Sequence, residues 1–283
     1  MINKDKYPNF SVAISVYEKD NPIWFDCALE SIIVQTVKPD EIVLIVDGPV
    51  PETIKKVIKK YTDLCNKKGI VLKAIKLKVN GGLGNALRIA VGECKNNLIA
   101  RMDSDDIACE SRFEQQLKFM VNHPEVDLLG GDIVEFVDDI HNVIGKRIVP
   151  CDDKEIKEYM KIRCPFNHVT VMYKKEAVQK SGSYLDLFWN EDYYLWIRML
   201  EQGCVMANTG TILVNVRTSS DMYKRRGGIN YFRSEKFLQE YMLERNIITK
   251  TTYLVNVLKR FVVQCVLPNS IRGWVFKRFA REK

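Results

Sequence analysis

Short apolar segments alternate with helical segments through the first hundred residues of this 283-residue chain. The apolar runs predict strands over residues 10–16, 41–46 and 70–77 and a fourth strand that ends at residue 102, and the segments between them predict helices over about 22–35, 52–67 and 80–94. Such alternation favours an α/β fold with a doubly wound, mostly parallel sheet. Because right-handed crossovers bring the carboxyl ends of these strands to one edge, residues just past each strand should gather along one cleft.

The pattern becomes mixed after residue 112. It predicts helices over about 112–121, 153–160 and 190–201, and strands near 126–129, 143–149, 169–173 and 212–216. No stretch resembles a flexible linker, so we expect one compact domain over residues 1–245 and an appended tail over residues 246–283.

Three carboxylates, Asp103, Asp105 and Asp106, directly follow the fourth strand. Residues two apart in an extended chain point to the same side, so Asp103 and Asp105 of this Asp-x-Asp sequence would project together. Hard oxygen ligands held in this way suit Mn²⁺ or Mg²⁺ bridging to a diphosphate, and open α/β sheets bind ligands at such strand ends. The alternative is a solvated acidic turn that caps the next helix, a role that suits Asp106.

Two predicted helix starts carry further candidate groups. The glycine-rich turn at 80–84, with Gly82 and Leu83, could let the backbone approach a phosphate at a helix N-terminus, although a plain tight turn explains it equally well. At the second start, Glu191 or Asp192 could take a proton from an acceptor hydroxyl. Acids in a first turn are also favoured by the helix dipole alone.

His168 and the loop over 221–228 are weaker candidates. A lone histidine before an apolar strand is more often a structural residue than a ligand. The loop holds Arg225 and Arg226 beside two glycines, and arginine forks could bind diphosphate oxygens if it folds over a ligand. An exposed charged loop is the alternative.

The net charge of +7 is concentrated at the C-terminal end of the chain. From Lys250 onwards there are eight Lys and Arg against one acid, and the preceding residues balance 35 basic against 35 acidic side chains. A neutral globule with a basic tail is not typical of a nucleic-acid-binding protein. The tail sets apolar and aromatic residues at helical spacing beside its charges, which resembles a basic amphipathic helix resting on anionic lipid. A helix packed on its own domain is the alternative.

The cysteines and apolar runs indicate the compartment. The eight cysteines are scattered and never form a Cys-x-x-Cys pair. With no signal peptide recognisable at Met1, we expect reduced cytosolic thiols and neither disulfides nor a zinc site. No run reaches the roughly 18 apolar residues of a spanning helix, so we expect the chain not to cross a membrane.

In order and spacing, these segments resemble glycosyltransferase family 2, whose members have the GT-A fold. The resemblance covers Phe10 to about Tyr241 and is carried by Ser15–Tyr17, Leu29–Thr36, Ile45–Gly48, Gly82–Leu87, Met102–Asp106 and Glu191–Asp192. Within the family, four segments resemble the amylovoran and O-antigen biosynthesis subgroup: Ile99–Asp103, Pro165–Val171, Asp192–Trp196 and Arg225–Gly228.

The sequence departs from the family pattern at three positions. Ser15 stands where the family usually has proline, Glu18 where it has asparagine, and Asp47 is single where two aspartates are common. The Gln-x-x-Arg-Trp motif of processive synthases is absent, so a polymerase is not expected.

The resemblance implies a Rossmann-like nucleotide-sugar half over about 1–121 and a mixed acceptor half over about 122–245. Asp47 would hold the nucleobase in a pocket lined by Val16 and Glu18, and Asp103 would contact the ribose. The other expected nucleotide-sugar contacts are Gly82, Leu83, Arg225 and Arg226.

The resemblance also implies a metal and a base. Asp105 would ligate Mn²⁺ or Mg²⁺, with Asp103 and His168 as further candidate ligands. Asp192 would be the general base, with Glu191 as the fallback.

The implied reaction is an inverting transfer of one hexose, glucose or galactose, from a UDP-sugar. The subgroup implies a β-1,3 linkage to lipid-linked GlcNAc-diphosphate-undecaprenol in O-antigen or exopolysaccharide assembly, on the cytoplasmic face of the inner membrane. The alternatives are a nucleotidyltransferase and a non-catalytic nucleotide-sugar-binding protein. A nucleotidyltransferase should carry a glycine-rich Lys/Arg signature after the first strand, where this chain has Tyr17–Asp20.

Overall fold

The first four strands form the parallel half of one mixed sheet. The computed structural model describes residues 6–218 and 227–268. Its first strands are β1 (Phe10–Val16), β2 (Glu41–Val46), β3 (Val71–Lys76) and β4 (Leu98–Met102), which lie in the order β3-β2-β1-β4. The connecting helices are α1 (Pro22–Ile33), α2 (Glu52–Lys67) and α3 (Leu83–Glu93). All three strand pairings are parallel, as the alternation predicts.

Strands β1, β2 and β4 are largely apolar runs because helices cover both faces of the sheet there. Alternate residues of one strand enter different cores: Ile14 packs in the core that contains α1 and α2, whereas Ala13 packs in the core that contains α3. The charged residues of β2 and β4 are therefore buried, and Glu41 of β2 accepts a hydrogen bond from the Ser11 hydroxyl (2.7 Å).

The second half of the chain extends the sheet with mostly antiparallel strands. They are β5 (Ile107–Ala108), β6 (Val126–Val137), β7 (Asp139–Arg147), β8 (Met172–Lys174) and β9 (Val205–Arg217), and the order continues β4-β8-β6-β9-β5 with β7 paired to β6. The helices are α4 (Arg112–Asn122), α5 (Asp153–Met160), α6 (Lys175–Lys180), α7 (Glu191–Glu201), α8 (Ile229–Glu244) and α9 (Lys250–Phe261). The mostly parallel first half of the sheet and the mixed second half match the predicted α/β fold class.

Several boundaries differ from the sequence predictions for reasons of tertiary contact. Strands β6 and β9 are longer than predicted because they pair with each other along most of their length. Helix α1 ends at Ile33, and the Gln35 side chain instead donates to Cys109 O (2.7 Å) and accepts from Phe113 N (3.1 Å). Strand β8 starts at Met172 because residues 168–170 form a single 3₁₀ turn. The short β5 and α6, and the longer α8, were not predicted.

The C-terminal helix α9 packs on the domain with its polar side. Asn256 Nδ2 donates to Gln239 Oε1 (2.8 Å) on α8 and to Lys161 O (2.9 Å), and Arg260 forms an ion pair with Glu235. Two of its leucines face outward, with Leu254 65% and Leu258 64% exposed. In the part of the chain that the structure describes, no helix is long and apolar enough to span a bilayer.

Candidate active site

The carboxyl end of β4 is held by two buried arginines. Arg101 lies within the strand, 1% exposed, and its guanidinium donates through both terminal nitrogens to the Asp103 carboxylate. Arg112, at the start of α4, donates to Arg101 O (2.7 Å) and is itself buried, which lowers the pKa of Arg112 to about 9. Asp103 therefore has a fixed orientation and a compensated charge.

The remaining acids of this segment are less well compensated. Burial, together with the charges of Asp103 and Asp20, raises the pKa of Asp105 to about 6. Asp20, in the loop after β1, accepts from Ser104 Oγ (2.8 Å), and burial raises its pKa as well. Asp106 does not cap a helix as the alternative interpretation held, because it accepts from the Arg217 amide (2.8 Å) at the end of β9.

This donor set fits a divalent cation. Asp103 and Asp105 offer carboxylate oxygens, and burial, with the charges of Asp103 and Asp20, disfavours the ionised form of Asp105 that a cation would stabilise. Among the residues that the structure describes, no three His, Cys, Asp or Glu side chains form a ready-made metal cluster. Mg²⁺-type sites commonly use one or two carboxylates and complete their shell with substrate phosphates and water, so two carboxylates are enough.

Asp47, just past β2, organises the glycine-rich turn. Its two carboxylate oxygens accept from the amides of Gly81 (2.8 Å) and Gly82 (3.0 Å). Gly82 has φ +82°, a backbone conformation that favours glycine, and α3 begins at Leu83. Val16, at the end of β1, is buried, whereas Glu18 in the following loop is exposed. The predicted nucleobase contacts of Asp47, Val16 and Glu18 stay predictions.

The second acidic pair begins helix α7. Burial, with the charge of Asp192 next to it, raises the pKa of Glu191 to about 7. Gly84 lies against this helix start, since a Cβ added there would be 3.4 Å from the Glu191 Cβ. The Asn190 side chain does not cap the helix and donates instead to Ser234 Oγ (3.0 Å) on α8.

His168 lies beside Asp192. Its Nδ1 is 3.9 Å from Asp192 Oδ2, and its Nε2 is hydrogen-bonded to the Tyr184 hydroxyl (3.0 Å). Burial, with the positive charge of Arg101, holds the pKa of His168 well below its usual range, so the imidazole is neutral. Metal ligation by His168 stays a prediction.

One cavity of about 660 Å³ brings several of these residues together. Its lining includes Asp103, Asp105, His168 and Asp192. The lining does not include Glu191, Val16, Glu18, Asp47, Gly82 or Leu83, and Arg225 and Arg226 lie outside the described residues.

Sequence reasoning missed three groups at this site. Asp20 and Arg217 reach it only through tertiary structure, and no local pattern marks them. Arg217 donates from Nε to Asp105 O (3.2 Å) and stacks on Trp24 and Phe136. Arg101 did leave a signal, because a charged residue inside an apolar strand must be buried with a partner.

Comparisons with known proteins bear on the family and the fold. The family model described as Glycosyl transferase family 2 matches residues 11–183. The "Amylovoran biosynthesis glycosyltransferase AmsE" of Erwinia amylovora is 40% identical over 95% of this chain and 98% of its own length. The "UDP-Gal:alpha-D-GlcNAc-diphosphoundecaprenol beta-1,3-galactosyltransferase" of Escherichia coli is 36% identical over 98% of both chains. Staphylococcus aureus TarS 1–349 in complex with UDP-GlcNAc shares the fold, with a TM-score of 0.66, 16% identity and coverage of 90% of this chain and 72% of that one.

The raised pKa of Asp105 predicts that a neutral residue at this position stabilises the folded protein. The folded pKa of about 6 is raised above the ordinary value of 3.8, so the folded state binds more protons than the unfolded state and loses stability as the pH rises between these values. In EDTA, Asp105→Asn should therefore raise the melting temperature, by an amount that grows between those pH values and then stays constant. Differential scanning calorimetry across this pH range measures the effect.

The exposed Asp63 on α2 provides the control, because Asp63→Asn should not change the melting temperature at any of these pH values. Mn²⁺ should then stabilise the wild-type protein and not Asp105→Asn. A wild-type protein as stable as Asp105→Asn throughout would show that the acids at β4 are not in electrostatic conflict.

Proposed function

The chain belongs to glycosyltransferase family 2, and we propose that it transfers one hexose, glucose or galactose, from a UDP-sugar to GlcNAc-diphosphate-undecaprenol. The transfer inverts the anomeric centre and forms a β-1,3 linkage. The donor, acceptor and linkage in the name of the 36% identical relative support this proposal. The 40% identical amylovoran enzyme supports a role in the assembly of exopolysaccharide or O-antigen repeat units.

One observation carries the proposal. Asp192 lines the same cavity as Asp103 and Asp105, although these residues come from opposite halves of the chain. A transferase needs a proton acceptor and a group that stabilises the departing diphosphate around one reacting centre. A protein that only bound a nucleotide sugar would not need the first of these.

Asp192 acts as the base in this mechanism. It accepts the proton of the acceptor hydroxyl while that oxygen attacks the anomeric carbon on the face opposite the UDP. Since burial and the charge of Asp192 raise the pKa of Glu191 to about 7, the pair shares a proton near neutral pH. We propose that Glu191 holds that proton and that Asp192 is the carboxylate that accepts one from the acceptor hydroxyl.

Asp103 and Asp105 would hold the Mn²⁺ or Mg²⁺, with His168 as a further candidate ligand. The bound ion would supply positive charge to the departing diphosphate. Arg101 fixes the Asp103 carboxylate in place through its two hydrogen bonds.

We further propose that the protein works as a peripheral protein on the cytoplasmic face of the inner membrane, with α9 resting on the lipid. The support is the reversed polarity of this helix, whose polar Asn256 and Arg260 face the domain while Leu254 and Leu258 face outward. The concentration of basic residues after Lys250 suits an anionic surface.

A donor and acceptor panel tests the reaction. The protein is incubated with Mn²⁺, each UDP-sugar and a synthetic GlcNAc-diphosphate-lipid, and UDP release is measured with and without acceptor. We expect acceptor-dependent UDP release from UDP-Glc or UDP-Gal and a β-1,3 linkage in the product by NMR. Pyrophosphate release would favour a nucleotidyltransferase, and binding without turnover would favour a non-catalytic nucleotide-sugar-binding protein.

The base assignment predicts that Asp192→Asn lowers kcat by roughly a thousandfold, because general-base catalysis contributes about 10²–10⁴. Donor affinity should stay close to that of the wild-type protein, since Asn preserves the side-chain shape. Kinetics with saturating acceptor and calorimetric titration of UDP measure the two quantities.

Glu191→Gln is the matched comparison. Glutamine mimics the protonated form of Glu191, so turnover at and below neutral pH should be largely kept, including the acidic limb of the kcat profile. If Glu191→Gln abolished turnover and Asp192→Asn did not, the two residues would exchange roles.

The membrane proposal predicts that a Leu254→Gln/Leu258→Gln variant binds anionic vesicles at least about tenfold more weakly, because each buried leucine contributes about 1.5–3 kcal/mol. Both side chains face away from the domain, so its melting temperature should not fall. Vesicle co-sedimentation measures binding, and unchanged binding would remove α9 from the membrane contact.

A further inference from the structure

The lining of the catalytic cavity includes basic side chains where α9 meets the segment after α5. Arg260 Nη2 donates to Ile162 O (2.7 Å), and Asn256 Nδ2 donates to Lys161 O (2.9 Å), so the helix and this segment are in direct contact. Arg163 directly follows Ile162, Lys259 directly precedes Arg260, and both side chains line the cavity. The cavity that holds Asp192 is therefore also lined by positive charge at this contact.

Two of the basic groups that line the cavity here are engaged by the protein. Arg147 donates to Phe166 O (2.9 Å), to Asn167 Oδ1 (2.9 Å) and to Cys164 O (2.6 Å). Arg260 forms an ion pair with Glu235, and both side chains are largely buried. The guanidinium groups of these two arginines are therefore bonded to protein atoms and stabilise the cavity wall.

Arg163 and Lys259 differ from these two arginines in their contacts. Within residues 6–218 and 227–268, neither side chain forms a hydrogen bond or an ion pair. Arg163 is half-buried and Lys259 is exposed. Two cations in one cavity wall that have no protein partner in the described part of the chain are available to an anionic ligand.

We infer that Arg163 and Lys259 bind the diphosphate of the lipid-linked acceptor. This inference rests on the proposed function, which supplies an acceptor of that chemistry. A sugar diphosphate esterified at both ends carries one negative charge on each phosphorus, so two cations neutralise it. The Arg163 guanidinium can donate two parallel hydrogen bonds to one phosphate, and the Lys259 ammonium acts as a point charge for the other.

The position of Lys259 on α9 suits an acceptor that enters from a membrane. Leu258, the neighbouring residue, is exposed on the outer face of the helix, whereas Lys259 lines the cavity. A diphosphate held by Lys259 and Arg163 would leave its lipid chain beside the outward apolar residues. The sugar on its other side would enter the cavity that Asp192 lines.

The experiment compares two acceptors in the full-length protein. One is a GlcNAc-diphosphate-lipid, and the other is GlcNAc with an uncharged hydrophobic aglycone. Arg163→Gln and Lys259→Gln should each raise the KM of the diphosphate acceptor by roughly tenfold or more, because a hydrogen bond to a charged group is lost. The KM of the uncharged acceptor and the KM of the UDP-hexose should stay as in the wild-type protein.

Lys118→Gln, an exposed lysine on α4, is the charge-matched control and should change none of these constants. An equal rise in KM for both acceptors, or no rise for the diphosphate acceptor, would overturn the inference. A rise in the KM of the UDP-hexose would assign the two side chains to the donor instead. If the wild-type protein transferred no sugar to either acceptor, the proposed function would fail, and this inference with it.

Discussion

The site depends on a constraint at the end of β4, where several carboxylates are held close together in partly or fully buried positions. Arg101 compensates Asp103, but burial and the neighbouring acids still raise the pKa of Asp105 to about 6. Such an arrangement costs folding stability unless a cation joins it. The fold holds these acids in place because β4 is hydrogen-bonded between β1 and β8. Arg112 also donates a hydrogen bond to Arg101 O near the end of the strand.

The two halves of the sheet contribute different residues to the candidate site. The parallel half brings the acids after β4 and the glycine-rich turn held by Asp47 to one edge. The mixed half brings Asp192 and His168 into the same cavity, and α9 contributes Lys259 to its wall. Because α9 turns polar residues inward and apolar residues outward, one short helix can serve both the acceptor site and a lipid surface.

The apolar and helical patterns of single segments were enough to predict the parallel half of the fold. The strands of the parallel half and the acids after β4 follow from apolar runs and crossover handedness, so the sequence was sufficient for them. Asp20 and Arg217 reach the acids through loop and strand pairing across more than eighty residues of chain, which no single segment reveals. The helix at Lys250 was predicted as part of an amphipathic tail, but the sequence did not indicate that Asn256 would be buried and Leu258 exposed. The domain limits at 121 and 245 stay predictions.

Anomalous diffraction from crystals grown with UDP and Mn²⁺ tests the central claim most directly. We expect one manganese peak within coordination distance of the Asp105 carboxylate, with UDP phosphate oxygens completing the shell. A peak bound elsewhere, or UDP bound in the cavity with no manganese beside Asp103 and Asp105, would contradict it.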